Sequence, residues 1–132
     1  MKEDDITTES ATIRLVTPKI VENIILDYTT LEKNHVLEIK EINKQLTKGQ
    51  PYAVLVDSGM LTTISKEARE LSASVEFSDI TIAKALLVRS MGHRLVASFY
   101  IKINKPHIKT KIFSNREFAI EWLKTQVGEK VK

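Results

Sequence analysis

The stretch GHRLVASFYIKIN, residues 92 to 104, has the periodicity of a β-strand and also that of an α-helix. As a strand, it alternates polar residues with apolar ones, which are Leu95, Ala97, Phe99, Ile101 and Ile103. As a helix, it places apolar residues opposite a polar stripe at helical spacing, formed by Arg94, Ser98, Lys102 and Lys105. Periodicity alone leaves both interpretations open, and the topology of the whole chain depends on the choice.

The segments on either side predict a regular series of strands and helices. Two apolar runs, TIRLV and IVENIIL, are separated by a short polar break with Pro18 and predict a hairpin. The continuous apolar runs YAVLV and ITIAKALLV predict strands covered on both faces, and the alternating HIKTKIF predicts another strand. Residues at helical spacing follow two capping boxes, Thr29 with Glu32 and Ser114 with Glu117. The predicted order is strand, strand, helix, strand, helix, strand, the undecided segment, strand and helix.

The last predicted helix contains Trp122, the single tryptophan of the chain. Its ring is expected to pack against the sheet near the strand that ends at Phe113. Phe113 is also expected to contact Phe118 as a hydrophobic staple at the start of the helix. We therefore predict a structural role for Trp122.

Composition indicates an ordinary globular protein, which we expect to be bacterial and cytoplasmic. The 132 residues are 42% hydrophobic and 28% charged, which is enough to bury a core without staples. The absence of cysteine excludes disulfides, thiolate metal sites and cysteine nucleophiles. No apolar run approaches the roughly 20 residues that span a bilayer, so no membrane insertion is expected. The acidic start MKEDDITTES does not resemble a signal peptide.

Three stretches, VLVDSG, LLVRSMGHRLVASFYIKINKP and KIFSNREFAIEWL, carry a family resemblance that the order of elements supports. From Thr12 to Val127 the chain resembles the STAS domain, the fold of the anti-sigma factor antagonist SpoIIAA. More closely, it resembles small bacterial SpoIIAA-like proteins, a group that overlaps in description with CRAL-TRIO lipid-transfer domains. The resemblance implies a single α/β domain of order ββαβαβαβα, with a mixed sheet, an N-terminal hairpin and a C-terminal helix. It implies a helix over residues 90 to 104, which supplies the crossover that parallel strands require.

The expected domain covers residues 11 to 128. Residues 1 to 10 lack periodicity and apolar content, which predicts a mobile tail. Residues 129 to 132 are expected to form a short C-terminal tail.

In regulatory STAS proteins, the strand and turn that match VLVDSG lead to an Asp-Ser-Ser-Gly motif, whose serine is phosphorylated by a partner kinase. The matching residues 64 to 67 read ISKE, so only Ser65 keeps a hydroxyl there. Ser65 is therefore a weak phosphorylation site by this resemblance. Its alternative role is the N-cap of the second helix, with Glu67 in the first turn.

Polar side chains follow two of the predicted parallel strands, at the end of the sheet where ligands bind in open α/β folds. They define a candidate rim for a ligand or an anion, made of Asp57, Ser58, Arg89, Ser90 and His93. The helix that opens at VRSMGH would offer free amides to an anion, with Arg89 and Ser90 as further donors. Alternatively, Ser90 is only the N-cap and Arg89 only a solvated charge.

These residues do not match a catalytic or metal-binding pattern. A Ser-His-Asp hydrolase would need Ser58 activated by His93, but the nucleophile elbow G-x-S-x-G is missing. The three histidines have no second ligand at suitable spacing, so neither a metal nor another cofactor is expected. The lysines between residues 102 and 111 lack aromatic residues on the same face. This pattern favours a solvated sheet edge over nucleic-acid binding.

The undecided segment, taken as a helix, has more apolar surface than one narrow stripe. The residues concerned are Leu95, Val96, Phe99 and Tyr100. They form a candidate surface for a second subunit or for an apolar ligand beneath the helix, and plain burial in a groove is the alternative.

The sequence therefore predicts a protein that works by binding and not as an enzyme. The first hypothesis is a protein-interaction or regulatory module that forms a homodimer and binds a regulatory protein partner. The second is a carrier or sensor of a small hydrophobic or anionic ligand, which the CRAL-TRIO similarity supports. A cavity lined by the four apolar residues of the helix would favour the carrier, and a flat exposed apolar face would favour the interaction module.

Overall fold

A six-stranded sheet with helices on both faces organises the chain, and the computed structural model describes residues 5 to 130. The strands are β1 (Ile6–Thr7), β2 (Ala11–Thr17), β3 (Ile20–Ile25), β4 (Thr30–Leu31), β5 (Tyr52–Asp57), β6 (Thr63–Ile64), β7 (Thr81–Leu87) and β8 (Lys109–Phe113). The helices are α1 (Lys33–Leu46), α2 (Lys66–Ala73), α3 (Met91–Phe99) and α4 (Arg116–Gln126). A π-helical turn, Tyr100–Asn104, continues α3.

The order of strands across the sheet is β1-β2-β3-β5-β7-β8. The pairs β1–β2 and β2–β3 are antiparallel, and the pairs β3–β5, β5–β7 and β7–β8 are parallel. Two short strands, β4 and β6, pair in parallel as a separate ribbon. The predicted mixed sheet, hairpin and order of elements are confirmed, and the structure adds the three two-residue strands β1, β4 and β6.

Each strand presents alternate residues to two different helical layers. On one face, which we call the α4 face, Ala53 and Leu55 of β5 join a core with Ala119 and Leu123 of α4. On the opposite face, Tyr52 and Val54 of the same strand pack towards α1, and the layer is completed by α2 and α3. We call this second side the three-helix face.

The segment with two possible periodicities is helical, as the family resemblance implied. Ser90 caps α3, because its Oγ accepts a hydrogen bond from the backbone N–H of His93 at 3.1 Å. The helix then carries the chain from β7 to the parallel strand β8. The alternation was misleading because the helix buries mainly Ala97 and Tyr100 and leaves larger apolar residues exposed.

The N-terminal segment departs from the predicted mobile tail over the part that the structure describes. Ile6 and Thr7 form β1 and pair with β2, and Ser10 is fully buried. The intervening turn is held by Thr8, whose Oγ1 accepts backbone N–H groups of Ser10 and Ala11, each at 3.1 Å. A two-residue strand is too short to show periodicity in sequence. Residues 1 to 4 of the predicted tail lie outside the described residues.

Two predicted helix caps are wrong by one to three positions. Helix α1 begins after Glu32, which forms a capping box with His35, because Thr30 belongs to the β4–β6 ribbon. Helix α4 is capped by Asn115, whose side chain accepts from the backbone N–H of Phe118 at 3.0 Å. Asn and Ser are comparable N-caps, so the composition of this segment left the position ambiguous.

Trp122 lies where the sequence predicted, with its ring centroid 5.7 Å from that of Phe113. It is half-buried and packs against the core of the α4 face. The predicted staple is wrong, because Phe118 is 63% exposed. With the cap at Asn115, Phe118 faces solvent and not the sheet.

The residues that follow α4 contact the hairpin formed by β2 and β3. Beyond α4, the Glu129 carboxylate accepts a hydrogen bond from Thr17 Oγ1 at 3.0 Å, next to the hairpin turn. Residues 131 and 132 of the predicted C-terminal tail lie outside the described residues. From residue 5 to residue 130, every helix is too short or too polar to cross a membrane.

Candidate ligand-binding site

A cavity of about 170 Å³ lies between the three-helix face of the sheet and the helices that cover it. Its apolar wall comes from strands and helices together, and includes Ile25, Val36, Ile39, Val54, Val56, Leu86 and Val96. Polar side chains lie among these residues at a few points. We call this space the interlayer cavity.

Lys84 is the most unusual residue of the interlayer cavity. It lies in the middle of β7, beside Val54 of β5, and only 8% of it is exposed. Its Nζ donates to Ser72 Oγ at 2.8 Å and to Tyr100 Oη at 3.1 Å, and these two hydroxyls are 3.0 Å apart. The ammonium also lies 5.2 Å from the centroid of the Tyr100 ring. Helix α2, β7 and the π-helical turn thus meet at one buried cation.

A second lysine, Lys40 of α1, lies at the other end of the cavity near the start of β5 and β7. Its Nζ donates to Thr81 Oγ1 at 2.6 Å and lies 3.4 Å from Asp79 Oδ1. Burial lowers the pKa of Lys40, and the charge of Asp79 offsets only part of that effect. Burial likewise raises the pKa of Tyr52, whose ring lies 5.2 Å from the Lys40 ammonium. Lys40 therefore differs from Lys84 in having a carboxylate close by.

Two further nitrogen-bearing side chains line the cavity and have an unused atom. Arg69, one turn before Ser72 on α2, donates from Nη1 to the carbonyl of Ile64 at 3.0 Å. Its Nε and the Nδ1 of His93 are buried, and neither has a hydrogen-bond partner among residues 5 to 130. The same part of the chain contains no group of three His, Asp or Glu side chains placed to hold a metal ion.

The structure divides the rim that the sequence predicted. Asp57 and Arg89 meet as neighbours of β5 and β7, with a bidentate pair at 2.7 and 2.9 Å. By strand alternation, Asp57 shares the α4 face with Leu55, so this pair faces away from the cavity. Ser58 and His93 instead line the cavity, and Ser90 serves as the N-cap of α3. In the described chain, no hydrogen bond joins Ser58 to His93.

A second charged cluster lies on the α4 face, centred on Glu22 of β3. This carboxylate is 1% exposed and accepts from Arg116 at 2.8 and 3.1 Å and from Arg14 at 3.1 Å. Burial alone would raise the pKa of Glu22, but the hydrogen bonds and charges of Arg116 and Arg14 outweigh it and lower the pKa. Every carboxylate oxygen here has a guanidinium partner.

The backbone of the turn after β5 packs closely against the end of β3. A Cβ on Gly59 would lie 2.4 Å from the carbonyl oxygen of Ile25 and 2.7 Å from Asp27 Oδ1, so only glycine fits. Asp27 Oδ1 also accepts the backbone N–H of Met60 at 2.7 Å, which ties the turn to the end of β3. Ser65 directly follows β6 and is the N-cap of α2, because its Oγ accepts a hydrogen bond from the backbone N–H of Ala68 at 3.1 Å. Phosphorylation of Ser65 stays a prediction.

The apolar residues predicted on α3 are divided between the cavity and the outer surface. Val96 and Tyr100 line the interlayer cavity, although Val96 is also 45% exposed, whereas Leu95 and Phe99 are exposed and do not line it. The exposed pair belongs to a row at helical spacing that we call the α3 ridge, formed by Met91, Leu95, Phe99 and Ile103. These four side chains are 46% to 70% exposed.

The α3 ridge lies in the most basic part of the chain. Residues 80 to 116 contain eight Lys and Arg and no Asp or Glu, whereas residues 1 to 79 contain nine Lys and Arg against fourteen Asp and Glu. The basic segment forms β7, α3 and β8, which occupy one edge of the sheet. Lys109 and Lys111 lie on the edge strand β8, as the solvated-edge interpretation expected. The expectation that these lysines lack aromatic neighbours is wrong for Lys111, whose ammonium lies 5.4 Å from the centroid of the Phe113 ring and 6.0 Å from that of Trp122.

Lys84, Lys40 and Ser72 are cavity residues that the sequence patterns did not predict. The signal for Lys84 was present, because a lysine interrupts the otherwise apolar run ITIAKALLV at a position that must be buried. Lys40 gave a comparable signal, since it shares the buried side of α1 with Val36 and Ile39. Ser72 gave none, because serine on a helix is equally common at the surface.

Comparison with known proteins supports the fold and does not assign an activity. The crystal structure of an uncharacterised protein of the DUF3478 family from Shewanella loihica PV-4, which has a SpoIIAA-like fold, superimposes with a TM-score of 0.60. The two chains share 12% sequence identity, over 86% of this chain and 92% of the Shewanella protein. No curated protein matches the sequence. A family model does match residues 15 to 127, and the chain therefore belongs to the family described as Domain of unknown function DUF7793.

Proposed function

We propose that this protein is a carrier or sensor of a small ligand held in the interlayer cavity, and that it acts by binding and not by chemistry of its own. The observation that carries the proposal is the cavity itself, at about 170 Å³ between packed layers. Protein interiors are normally packed with few voids larger than a water molecule. A cavity of about 150 Å³ can hold a ligand the size of benzene.

The composition of the cavity wall also supports a ligand. Small-molecule sites are mostly apolar, with a few polar groups that fix the orientation of the ligand. Here Val54, Val56 and Leu86 provide an apolar floor on the sheet, and Lys84 and Tyr100 provide polar atoms beside it. A site of this size suits a ligand with about six to ten non-hydrogen atoms, by comparison with benzene in the cavity of about 150 Å³.

A cavity-filling variant tests the proposal. Val54→Phe places a ring in the cavity and should abolish binding of benzamide, measured by saturation-transfer NMR on the intact chain. Val75→Phe is the matched control, because Val75 is 59% exposed and does not line the cavity. Native mass spectrometry of freshly purified protein should also show a retained small molecule in the wild type and in Val75→Phe only. Equal benzamide binding by both variants would place the ligand elsewhere and overturn the proposal.

The interaction module is the second candidate, and the α3 ridge is the observation that favours it. Four large apolar side chains along one helix form a surface on which a second copy could pack around a two-fold axis. Arg94 and Lys102 lie next to the ridge in sequence and are both cationic, so a dimer through the ridge would bring like charges from the two copies together. Added salt should then strengthen the dimer by screening their repulsion. The homodimer expected from the sequence stays a prediction.

Analytical ultracentrifugation tests this second candidate. This candidate is supported if the dimer becomes stronger between 0.05 and 0.5 M NaCl, a range over which the Debye length falls to less than about half. The dimer should also be lost in Leu95→Glu. Val75→Glu is the matched control for adding a charge at an exposed apolar position. A monomer at all salt concentrations would exclude the α3 ridge as a dimer contact.

A further inference from the structure

The charge of Lys84 is buried without an opposite charge. Its three donor sites meet two neutral hydroxyls, those of Ser72 and Tyr100, and no carboxylate among residues 5 to 130 lies within ion-pair distance. Burying a cation is costly unless it is paired, and proteins normally pair such groups. Lys40, in the same cavity, follows this rule through Asp79.

The rest of the cavity wall also has basic side chains without acidic ones. Among the described residues, its lining includes Lys40, Arg69, Lys84 and His93 and contains no Asp or Glu. Two of these side chains also have a buried nitrogen without a partner, the Arg69 Nε and the His93 Nδ1. Four basic side chains and, among the described residues, no acidic one thus line one small space.

The position of Lys84 determines what kind of molecule could complete it. The residue is at the centre of β7, with Val54 beside it on β5 and Leu86 two residues further along β7. An anionic group at the Lys84 Nζ would therefore have apolar side chains directly next to it. A fully hydrated ion such as sulfate would make no apolar contact with Val54 and Leu86. An acid with an apolar body would contact these two side chains and the Lys84 ammonium.

We infer that the ligand of the interlayer cavity is a small organic acid, whose carboxylate pairs with the Lys84 ammonium and whose apolar body lies along Val54, Val56 and Leu86. This inference rests on the proposed function, since it names the class of ligand for the same cavity. In the ligand-bound protein, the carboxylate supplies the negative charge that the chain does not provide. The Tyr100 and Ser72 hydroxyls remain bonded to each other, and the one that accepts in that bond can donate its own proton to the second carboxylate oxygen.

Benzoate and benzamide provide a matched pair of probes, because they have nearly the same shape and differ in charge. Isothermal titration calorimetry at pH 7 on the wild-type chain should give benzoate a dissociation constant at least about tenfold below that of benzamide, as expected for a charged hydrogen bond. Lys84→Met should remove this preference. Lys102→Met is the control, since Lys102 is exposed and does not line the cavity, and it should keep the preference.

The outcomes separate this inference from the proposed function. Equal affinity of benzoate and benzamide in the wild type would overturn the acid ligand and leave the cavity as a binding site. Absence of binding by both probes would overturn both. Lys84→Gln keeps a polar group at the position, so it guards against a folding defect in Lys84→Met, and it too should lose the preference. A preference that survives in both Lys84 variants would contradict the role of Lys84.

Discussion

On the α4 face of the sheet, Glu22 meets the guanidinium groups of Arg14 and Arg116, whereas on the three-helix face Lys84 meets only hydroxyls. Both residues lie on central strands, and both are almost completely buried. The α4 face also pairs Asp57 with Arg89. On the α4 face these buried charges are therefore paired within the chain, whereas on the three-helix face Lys84 has no anionic partner among residues 5 to 130.

This difference distinguishes buried charges that stabilise the fold from a buried charge that we assign to ligand binding. A buried charge whose partners come from the same chain is part of the folded structure, and its removal should cost stability. A buried charge without such a partner is a cost that the fold carries, and its removal should not. The variants below test that distinction, beginning with the largest expected effect.

Glu22→Gln should destabilise the protein by about 3 kcal/mol, the lower end for a broken buried pair. It leaves Arg116 without its carboxylate and Arg14 with Asp5 at 3.9 Å, but both guanidinium groups are partly exposed to water. Urea denaturation followed by circular dichroism measures the change. Glu41→Gln is the matched control, since Glu41 is exposed on α1, and it should change the free energy of unfolding by less than about 0.5 kcal/mol.

The pH dependence of the same pair provides a second measurement. The pKa of Glu22 in the folded protein lies below its ordinary value of 4.5. The pair therefore contributes its full stability above about pH 4.5, and that contribution is lost as the pH falls through the lower, folded-state pKa. Glu22→Gln should flatten this part of the stability curve. An unchanged acid sensitivity in the variant would show that the pair does not stabilise the fold.

Trp122→Ala should cost about 3 kcal/mol, at the lower end for a large aromatic residue because the ring is half-buried. The lost contacts are those with Phe113 and the core of the α4 face. Phe118→Ala, on the same helix but exposed, is the control and should be close to neutral. Equal costs for the two variants would contradict the position of α4.

Lys84→Met should stabilise the ligand-free protein by about 1 kcal/mol, opposite in sign to the effect at Glu22. An apolar side chain removes an uncompensated buried charge, and the Ser72 and Tyr100 hydroxyls can still bond to each other. The midpoint of urea denaturation reports the change. A loss of several kcal/mol would make Lys84 a structural residue and would remove the contrast between the two faces.

Ser65→Ala should cost about 1 kcal/mol, because it removes the N-cap of α2, the helix that brings Arg69 and Ser72 to the cavity. Ser114→Ala is the control, because it removes a serine that the sequence pattern predicted as a cap but that does not cap α4. The sequence pattern made Ser114 a cap, but the structure assigns that role to Asn115, so Ser114→Ala should have little effect. Thermal denaturation of both variants measures the difference.

The fold was predictable because its strongest signals are long. The runs at β5 and β7, the hairpin and the helix over residues 90 to 104 each extend over several residues, and the family resemblance resolved the ambiguous one. The caps at Glu32 and Asn115 and the two-residue strand β1 were not predictable, because they depend on tertiary pairing or on neighbouring residues of equal propensity.

The site was predictable only in part for a related reason. Asp57 and Arg89 meet as the strand order suggested, but alternation along β5 turns that pair away from the cavity. The division of α3 into buried Tyr100 and exposed Phe99 depends on the angle at which the helix lies on the sheet, and periodicity does not contain that angle. Lys84 could have been found as a charge inside an apolar strand.

The basic segment from residue 80 to residue 116 also affects how the molecule meets other charged species in solution. Because this segment occupies one edge of the sheet and residues 1 to 79 carry an excess of acidic groups, the protein has an electric dipole despite its small net charge of +3. An approaching anion is attracted towards β7, α3 and β8 before any contact forms, and a cation is attracted towards the rest of the molecule. The rate of such encounters, unlike the affinity of a buried contact, falls steeply as ionic strength rises.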